Sequence, residues 1–447
     1  MNALSTAILI FLVVVVLAAP RRWAILGMAA GVLYLTEHVS VEIIGFHMFP
    51  IRFLEIAGLT RVMARREFAF SNLNKLDRLF LLVYAYVTIV FLLRSNEGLA
   101  YQIGLAVDAS FCYFIFRGLI ADVDDFRWFL RAFVFLLIPY VAILAVEMRT
   151  TQNLFHDIGR ALVEQDFRAG RLRCLGSFRH PALLGTLGGS FLPLYIALVM
   201  AKKDRKWGLI GIVLCAAIVF LSNSGGPVAA VAVGISGWTL WSMRTKMRLV
   251  RRWMLGLLVL AALVMEAPVW YLPARISDHL GVGGDSWHRS HLMEMAAQDI
   301  GKWWLWGMPV ADTEGWFPYK LAATLGGSDI TNQYLSLGVA GGLLSMILFI
   351  VLLVKCFKSL GGAMGIIRAS PNQAETEFML WGLGVMLVVH IENWFAISYF
   401  DQTYVMWFMQ LAAVVSIVSQ ISFQYNFENA KSRSFLSFQP VGQFRQG

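Results

Sequence analysis

Charge is what this chain has least of. Only 15% of its 447 residues are Asp, Glu, Lys or Arg, while 58% are hydrophobic. No soluble domain of this length needs so much apolar surface, so the composition excludes a soluble protein and leaves a membrane protein. Cysteine is scarce as well. Of Cys112, Cys174, Cys215 and Cys356, all but Cys174 lie in apolar runs or at their edges, which argues against a disulfide framework. A phosphate loop, a dinucleotide fingerprint and a repeat of fixed period are all missing. The first apolar run, residues 3–19, has Arg21 and Arg22 after it rather than a basic stretch before it, unlike a cleaved signal peptide. The short alternating segments of a β-barrel are absent too, because the apolar runs are continuous. What remains is an all-α polytopic integral membrane protein. The runs amount to about 12–13 transmembrane helices at roughly 20 residues each, with a large outer loop that contains an amphipathic helix.

The formal charge of +9 is read by position, as topology and not as a nucleic-acid surface. Basic clusters at residues 61–78, 202–206, 244–252 and 355–358 alternate with apolar spans, and one orientation puts them all in the cytoplasm. The chain then divides into N-terminal transmembrane helices (1–147), an Arg-rich periplasmic loop (148–180) and central transmembrane helices (181–266). A large periplasmic loop (267–332), C-terminal transmembrane helices (333–422) and a cytoplasmic tail (423–447) follow, the tail expected to be disordered. Arg52 and Glu55 stand at i, i+3 within a span and are expected to pair. Asp108 stands alone in mid-span, as a hydrogen-bonded structural carboxyl or as part of a transport path.

The longest polar interval is the 267–332 loop, which holds Arg275, Asp278, His279, Asp285, His288, Arg289, His291, Glu294, Asp299 and Asp329. At about 100° per residue, residues 285–306 form an amphipathic helix. His288, His291, Glu294, Gln298, Asp299 and Lys302 fall on one face, and Leu292, Met293, Ala296, Ala297, Ile300, Trp303 and Trp304 on the other. Such a helix lies in the membrane interface with its tryptophans at headgroup level. Arg289 falls in the middle of the apolar face. Burying it unpaired costs roughly 2.5–3.5 kcal/mol or more, so it either snorkels to headgroups or points at a bound anion. His288 and His291 are three apart, whereas the two-histidine zinc helix needs four, so no metal is expected. The 148–180 loop breaks the positive-inside rule with Arg149, Arg160, Arg168, Arg171, Arg173 and Arg179. It is either an ordinary solvated basic loop or a set of planar forks for phosphate.

Arg173-Cys-Leu-Gly-Ser-Phe-Arg-His-Pro181 resembles the Arg-x-x-Gly-Thr/Ser-Phe-x-Asn-Pro element of the O-antigen ligase and polymerase superfamily. Ser222-Asn-Ser-Gly-Gly226 resembles its Ser-x-Ser-Arg-Gly element, and Arg289 resembles the arginine of its long outer loop. Trp303-Trp-Leu-Trp-Gly307 and Thr331-Asn-Gln-Tyr-Leu335, with Gly338 and Gly341-Gly342, resemble the elements that follow. The resemblance covers roughly residues 173–349. It implies a metal-independent glycosyltransferase of the inner membrane, with no cofactor and no nucleotide sugar. Such an enzyme moves a glycan from a polyprenyl-diphosphate carrier onto the hydroxyl of a glycan or lipid-linked acceptor, among membrane lipids. On this reading Arg173, Arg179, Arg289 and Asn332 bind substrate. The motif's asparagine before proline is His180 here, its Ser-x-Ser arginine is Gly225, and its histidine before Asn332 is Thr331. These departures resemble an exopolysaccharide-type member rather than a lipopolysaccharide ligase. They leave the proton acceptor to Asp329, His180 or His291; Asp329 reads equally as an N-cap. The alternative class is a transporter or flippase of lipid-linked or free glycan, which would keep its ionisable groups near the membrane midplane.

Overall fold

The computed structural model describes residues 2–43, 46–94, 99–159, 166–279, 286–316, 326–370 and 373–437, and the side chains of most of them. Arg160 and Asp285 lie outside these, as do the side chains of Asp278 and His279. In lipid a chain must satisfy its own backbone N–H and C=O groups, so the apolar runs fold as helices. The first six are α1 (Ala3–Ala18), α2 (Arg21–Tyr34), α3 (Pro50–Ala64), α4 (Lys75–Arg94), α5 (Leu99–Leu119) and α6 (Val123–Thr150). Next come α7 (Pro181–Met200), α8 (Arg205–Ser222), α9 (Gly225–Thr239) and α10 (Met247–Val264). Within the large loop are α11 (Leu272–His279), α12 (Ser286–Gln298) and α13 (Ile300–Trp303). The chain ends with α14 (Gln333–Ala369), α15 (Ala374–Asn393) and α16 (Thr403–Ser437). The strands form two small antiparallel hairpins, β1 (Val41–Ile43) with β2 (Phe46–Met48) and β3 (Phe167–Arg168) with β4 (Arg171–Leu172).

Seven described helices are long and apolar enough to cross a membrane: α4, α6, α7, α8, α14, α15 and α16 up to Ala430. The bent pair of α10 and the segment after it makes an eighth if the two count as one span. The protein is therefore a multi-pass, all-α membrane protein. The spans of α7 and α16 are the most enclosed, each 83% buried, so these two helices form the centre around which the others pack.

One end of the bundle carries basic residues matched to acids. Arg21 and Arg22 meet Asp125, Arg117 meets Asp77 at 2.8 Å, and Arg127 and Arg131 meet Asp204 at 2.9 and 3.2 Å. At the other end the α2–α3, α6–α7, α8–α9, α10–α14 and α15–α16 connections gather. Gln402 Nε2 donates to the Leu35 and Ser177 carbonyls at 2.8 and 3.2 Å. Cys174 N donates to Leu221 O at 3.1 Å and Gln333 N to Trp394 O at 3.0 Å. The 148–180 and 267–332 loops thus belong to the same end.

Two expectations change. Arg52 does not pair with Glu55. It turns to Asp108 on α5, reaching it with Nε at 2.9 Å and Nη2 at 2.7 Å, while Glu55 accepts from Cys112 Sγ at 3.1 Å. A carboxylate on the neighbouring helix offers the guanidinium a two-point contact that the next turn of its own helix does not. Residues 423–437 of the tail are not irregular either, because α16 runs on to Ser437; residues 438–447 lie outside the described residues. Residues 423–437 contain neither Gly nor Pro, and extending an existing helix costs far less than nucleating one.

Candidate functional site

The arginine loop is held by one buried carboxylate. Glu147, at the end of α6, accepts from Leu175 N at 2.9 Å and Gly176 N at 3.0 Å. Asn153 Nδ2 joins Glu147 to Gly176 O at 2.9 and 3.0 Å. Gly176 has φ +56°, and a Cβ there would strike the Tyr140 hydroxyl, so only glycine fits. The β3–β4 hairpin docks on the end of α8. Arg171 Nη2 donates to Phe220 O at 2.9 Å, and Asn223 Nδ2 donates to Arg168 O at 3.0 Å. This brings the Arg168 guanidinium beside Gly225, 3.8 Å from where a Cβ would stand.

The loop ends at His180, the N-cap of α7, whose Nδ1 accepts from Ala182 N at 3.1 Å ahead of Pro181. With Nδ1 accepting, the neutral ring carries its proton on Nε2. Burial, then Arg173, and further Arg289 and Arg168 lower its pKa to about 4; only Asp166 opposes them. Arginines from two loops and a hairpin therefore act on one point. Arg173 itself is paired with Asp166.

The large loop has a small core of its own. Leu292 and Ala296 of α12 are fully buried with Trp303, Met308, Trp316, Ile330 and Val339. Trp303 Nε1 donates to Ala296 O at 2.8 Å, and Trp316 Nε1 to Asp299 at 2.8 Å. This core closes on α14 where that helix breaks at Gly341 and Gly342. Gly342 has φ +80°, and a Cβ there would strike the Leu305 carbonyl. The broken turn finds its partners in the loop. Met308 N donates to Val339 O at 2.9 Å and Leu343 N to Trp304 O at 2.7 Å, while Arg94 Nη1 reaches Val339 O at 2.8 Å. So this part of the apolar stripe faces α14 and not lipid. About half of each of Trp304, Leu305 and Trp306 remains exposed. His291 stacks on the exposed Trp287 ring at 5.0 Å, beside α12's own surface.

An apolar groove of about 400 Å³ lies between α12, α14 and the end of α15. Met293, Asn332, Ile391 and Phe395 line its head, and one face of α14, from Met346 through Ile350 and Leu353 to Phe357, lines its length. That face runs roughly 16 Å along the helix at 1.5 Å per residue. Arg289 stands one turn before Met293 on α12, on the same face. Its charge also reaches Glu392, next to groove-lining Ile391. Glu392 Oε2 is buried with no hydrogen-bond partner, and so is Thr331 Oγ1. The 3.0 Å bond from Gln333 N to Trp394 O brings these two residues' segments together. Asn332 caps α14, its side-chain oxygen accepting from Tyr334 N and Leu335 N at 3.0 and 3.1 Å. Asp329 is therefore not the cap. Burial raises its carboxyl above the usual range, and no charged side chain contributes.

Arg179 points away from its neighbour His180. Its Nη2 donates to Glu37 O at 2.6 Å, its Nε meets Asp401 at 3.2 Å, and its guanidinium lies 5.5 Å from the Phe49 ring centre. Arg52 faces the same ring at 5.4 Å. Burial pushes Asp401 up to about 6 against the pull of Arg179. Burial and the neighbouring Asp401 hold Glu37 well above the usual carboxylate range.

Of the residues singled out in the sequence, Arg173 and Arg289 act on His180, and Asn332 lines the groove. Arg179 belongs to a separate carboxyl cluster, and His291 and Asp329 lie apart. Sequence reasoning missed Glu392, Glu37 and Asp401, and had Arg168 only as one of the loop's arginines. A lone acid in the last turn of an apolar helix was the available signal for Glu392. No protein-family model matches this chain, and no curated protein matches it.

Proposed function

We propose that this chain is a membrane glycosyltransferase that takes a glycan from a polyprenyl-diphosphate carrier at the outer face of the inner membrane and passes it to an acceptor hydroxyl. The observation that carries the proposal is the apolar groove whose lining includes Met293, one turn after Arg289 on α12. A polyprenyl tail needs a long apolar furrow open to lipid. Its diphosphate needs cations at the furrow's outer end, where leaving-group charge develops. Arg289, Arg173 and Arg168 supply them, with the Nε2–H of neutral His180 as a further donor. Arg168 stands beside Gly225, where the resembling family carries an arginine. On this reading all helices except α11, α12 and α13 cross the membrane, thirteen passes in all. The end rich in paired arginines is then cytoplasmic.

Transport of the same glycan-lipid would call on Asp108 as the mid-span ionisable group, but that carboxylate is already bound by Arg52. The experiment replaces the chain in its own cells by Arg289→Ala and measures the pool of polyprenyl-diphosphate-linked glycan by mass spectrometry of extracted lipid. Transfer at the outer face predicts that the pool accumulates there. An unchanged pool in the variant contradicts the proposal.

A further inference from the structure

Glu392 is a carboxylate in a place where a structural carboxylate has little to do. It ends an apolar helix, where its Oε2 is shielded from water and accepts no hydrogen bond. Ile391 on one side of it and Phe395 on the other line the groove head. Among the described residues, Arg289 on α12 and the Tyr399 hydroxyl from the α15–α16 connection, itself bonded to His390 and Asn393, act on it electrostatically from outside its own helix. On the segment that Gln333 N joins to Trp394 O, Thr331 has a hydroxyl oxygen that is also buried and without a hydrogen bond. An acceptor-only group held unsatisfied in a low-dielectric pocket is expensive, and chains keep such groups where a substrate completes them. An incoming hydroxyl is the kind of donor that would.

We propose that Glu392 is the proton acceptor for the attacking hydroxyl, which makes the carboxylate at the groove head, and not Asp329, the base of the transfer. This rests on the glycosyl-transfer reading. In the step, the acceptor oxygen forms a bond to the anomeric carbon as the bond from that carbon to the phosphate oxygen breaks. The electron pair of the broken bond stays on the diphosphate, beside Arg289. The hydroxyl proton passes to Glu392 and from there to water at the outer face.

The experiment uses the full-length chain in membranes and two readouts. The first is binding of a polyprenyl diphosphate without glycan; the second is consumption of extracted lipid-linked glycan. Glu392→Gln removes a negative charge near Arg289, so binding should stay equal or tighten. Consumption should fall by about 10²–10⁴-fold, the usual contribution of a base, and lack the decline toward acid pH that the inference predicts for the wild type. Thr331→His in the Glu392→Gln chain should recover part of the rate, because it returns a base to the adjoining segment. Consumption by Glu392→Gln at the wild-type rate, with the wild-type pH profile, overturns the inference and leaves the transfer reading standing. Weakened diphosphate binding in Glu392→Gln also overturns it, because the residue then serves to position Arg289. If the wild type binds no polyprenyl diphosphate, the transfer reading itself fails.

Discussion

Two arginine-bearing clusters lie at one end of this bundle, joined by the peptide bond between Arg179 and His180. Around Arg179 the charges are answered within the chain. Asp401 and the Glu37 carbonyl hold its guanidinium, and Asp108 holds Arg52 across the Phe49 ring. Carboxyls outnumber guanidiniums there, and the extra acids respond by keeping their protons. Around His180 arginines predominate, with Arg173 paired to Asp166. Burial first, then Arg173, with smaller contributions from Arg289 and Arg168 and against Asp166, lowers the ring's affinity for a proton. A cation surrounded by carboxylates has little field left for a ligand anion, whereas arginines that repel a proton together attract a diphosphate. On the proposed function, the difference separates a cluster that holds the fold from one that meets the substrate, although both are drawn from the same basic loop.

Exchanging charges between the two clusters should give unequal results, beginning with the largest. Arg289→Ala should reduce consumption of lipid-linked glycan by at least 100-fold, and Arg289→Lys should restore little of it, because an ammonium cannot offer the planar fork. Full activity with lysine would mean that only the charge matters. Next in size is the groove. Ile350→Trp places a large ring on its lining face and should cut glycan consumption about tenfold, judged from the 1–3 kcal/mol that misfitted bulk typically costs. Its melting temperature should stay near wild type, because Ile350 is substantially exposed. A smaller effect is expected from Arg168→Ala, a loss of several-fold, with Gly225→Arg in the same chain recovering activity. Failure of the double variant to recover would separate Arg168 from the site.

The cluster around Arg179 should appear in stability rather than in turnover. The folded-state pKa of Asp401 is raised from 3.8 to about 6. Between those values the folded state holds a proton that the unfolded chain releases, so this group's contribution to stability is full below pH 3.8 and is lost as pH rises through 6. Thermal unfolding from pH 4 to 7 should show this slope in the wild type and less of it in Asp401→Asn. An unchanged slope would place Asp401 outside the cluster's proton balance.

Much of the fold was legible, because lipid admits few solutions: long apolar runs must be helices, and alternating basic clusters set their order. The basic loop and Arg289 stood out for the same reason, as charges where a membrane protein avoids them. What the sequence does not display is direction. Arg179 and His180 are neighbours, yet their side chains diverge into different clusters, and only packing against Glu37 and Asp401 decides that. Arg52 was legible as a charge needing a partner, but the partner stood 56 residues away on α5 rather than one turn along. The apolar stripe of α12 was legible as a stripe. That Leu292 and Ala296 bury against α14 depends on the break at Gly341 and Gly342, a tertiary event. Glu392 was passed over because one acid at a helix end looks like a boundary.

The central claim is that Arg289, and not Arg179, holds the carrier's diphosphate at the head of the groove. Equilibrium binding of a polyprenyl diphosphate to the purified wild type, Arg289→Ala and Arg179→Ala tests it most directly. Loss of charged hydrogen bonds worth about 1.5–3 kcal/mol predicts affinity roughly 10–100-fold weaker for Arg289→Ala. Arg179→Ala should bind like the wild type. Equal affinity in wild type and Arg289→Ala, or a larger loss in Arg179→Ala, contradicts the account.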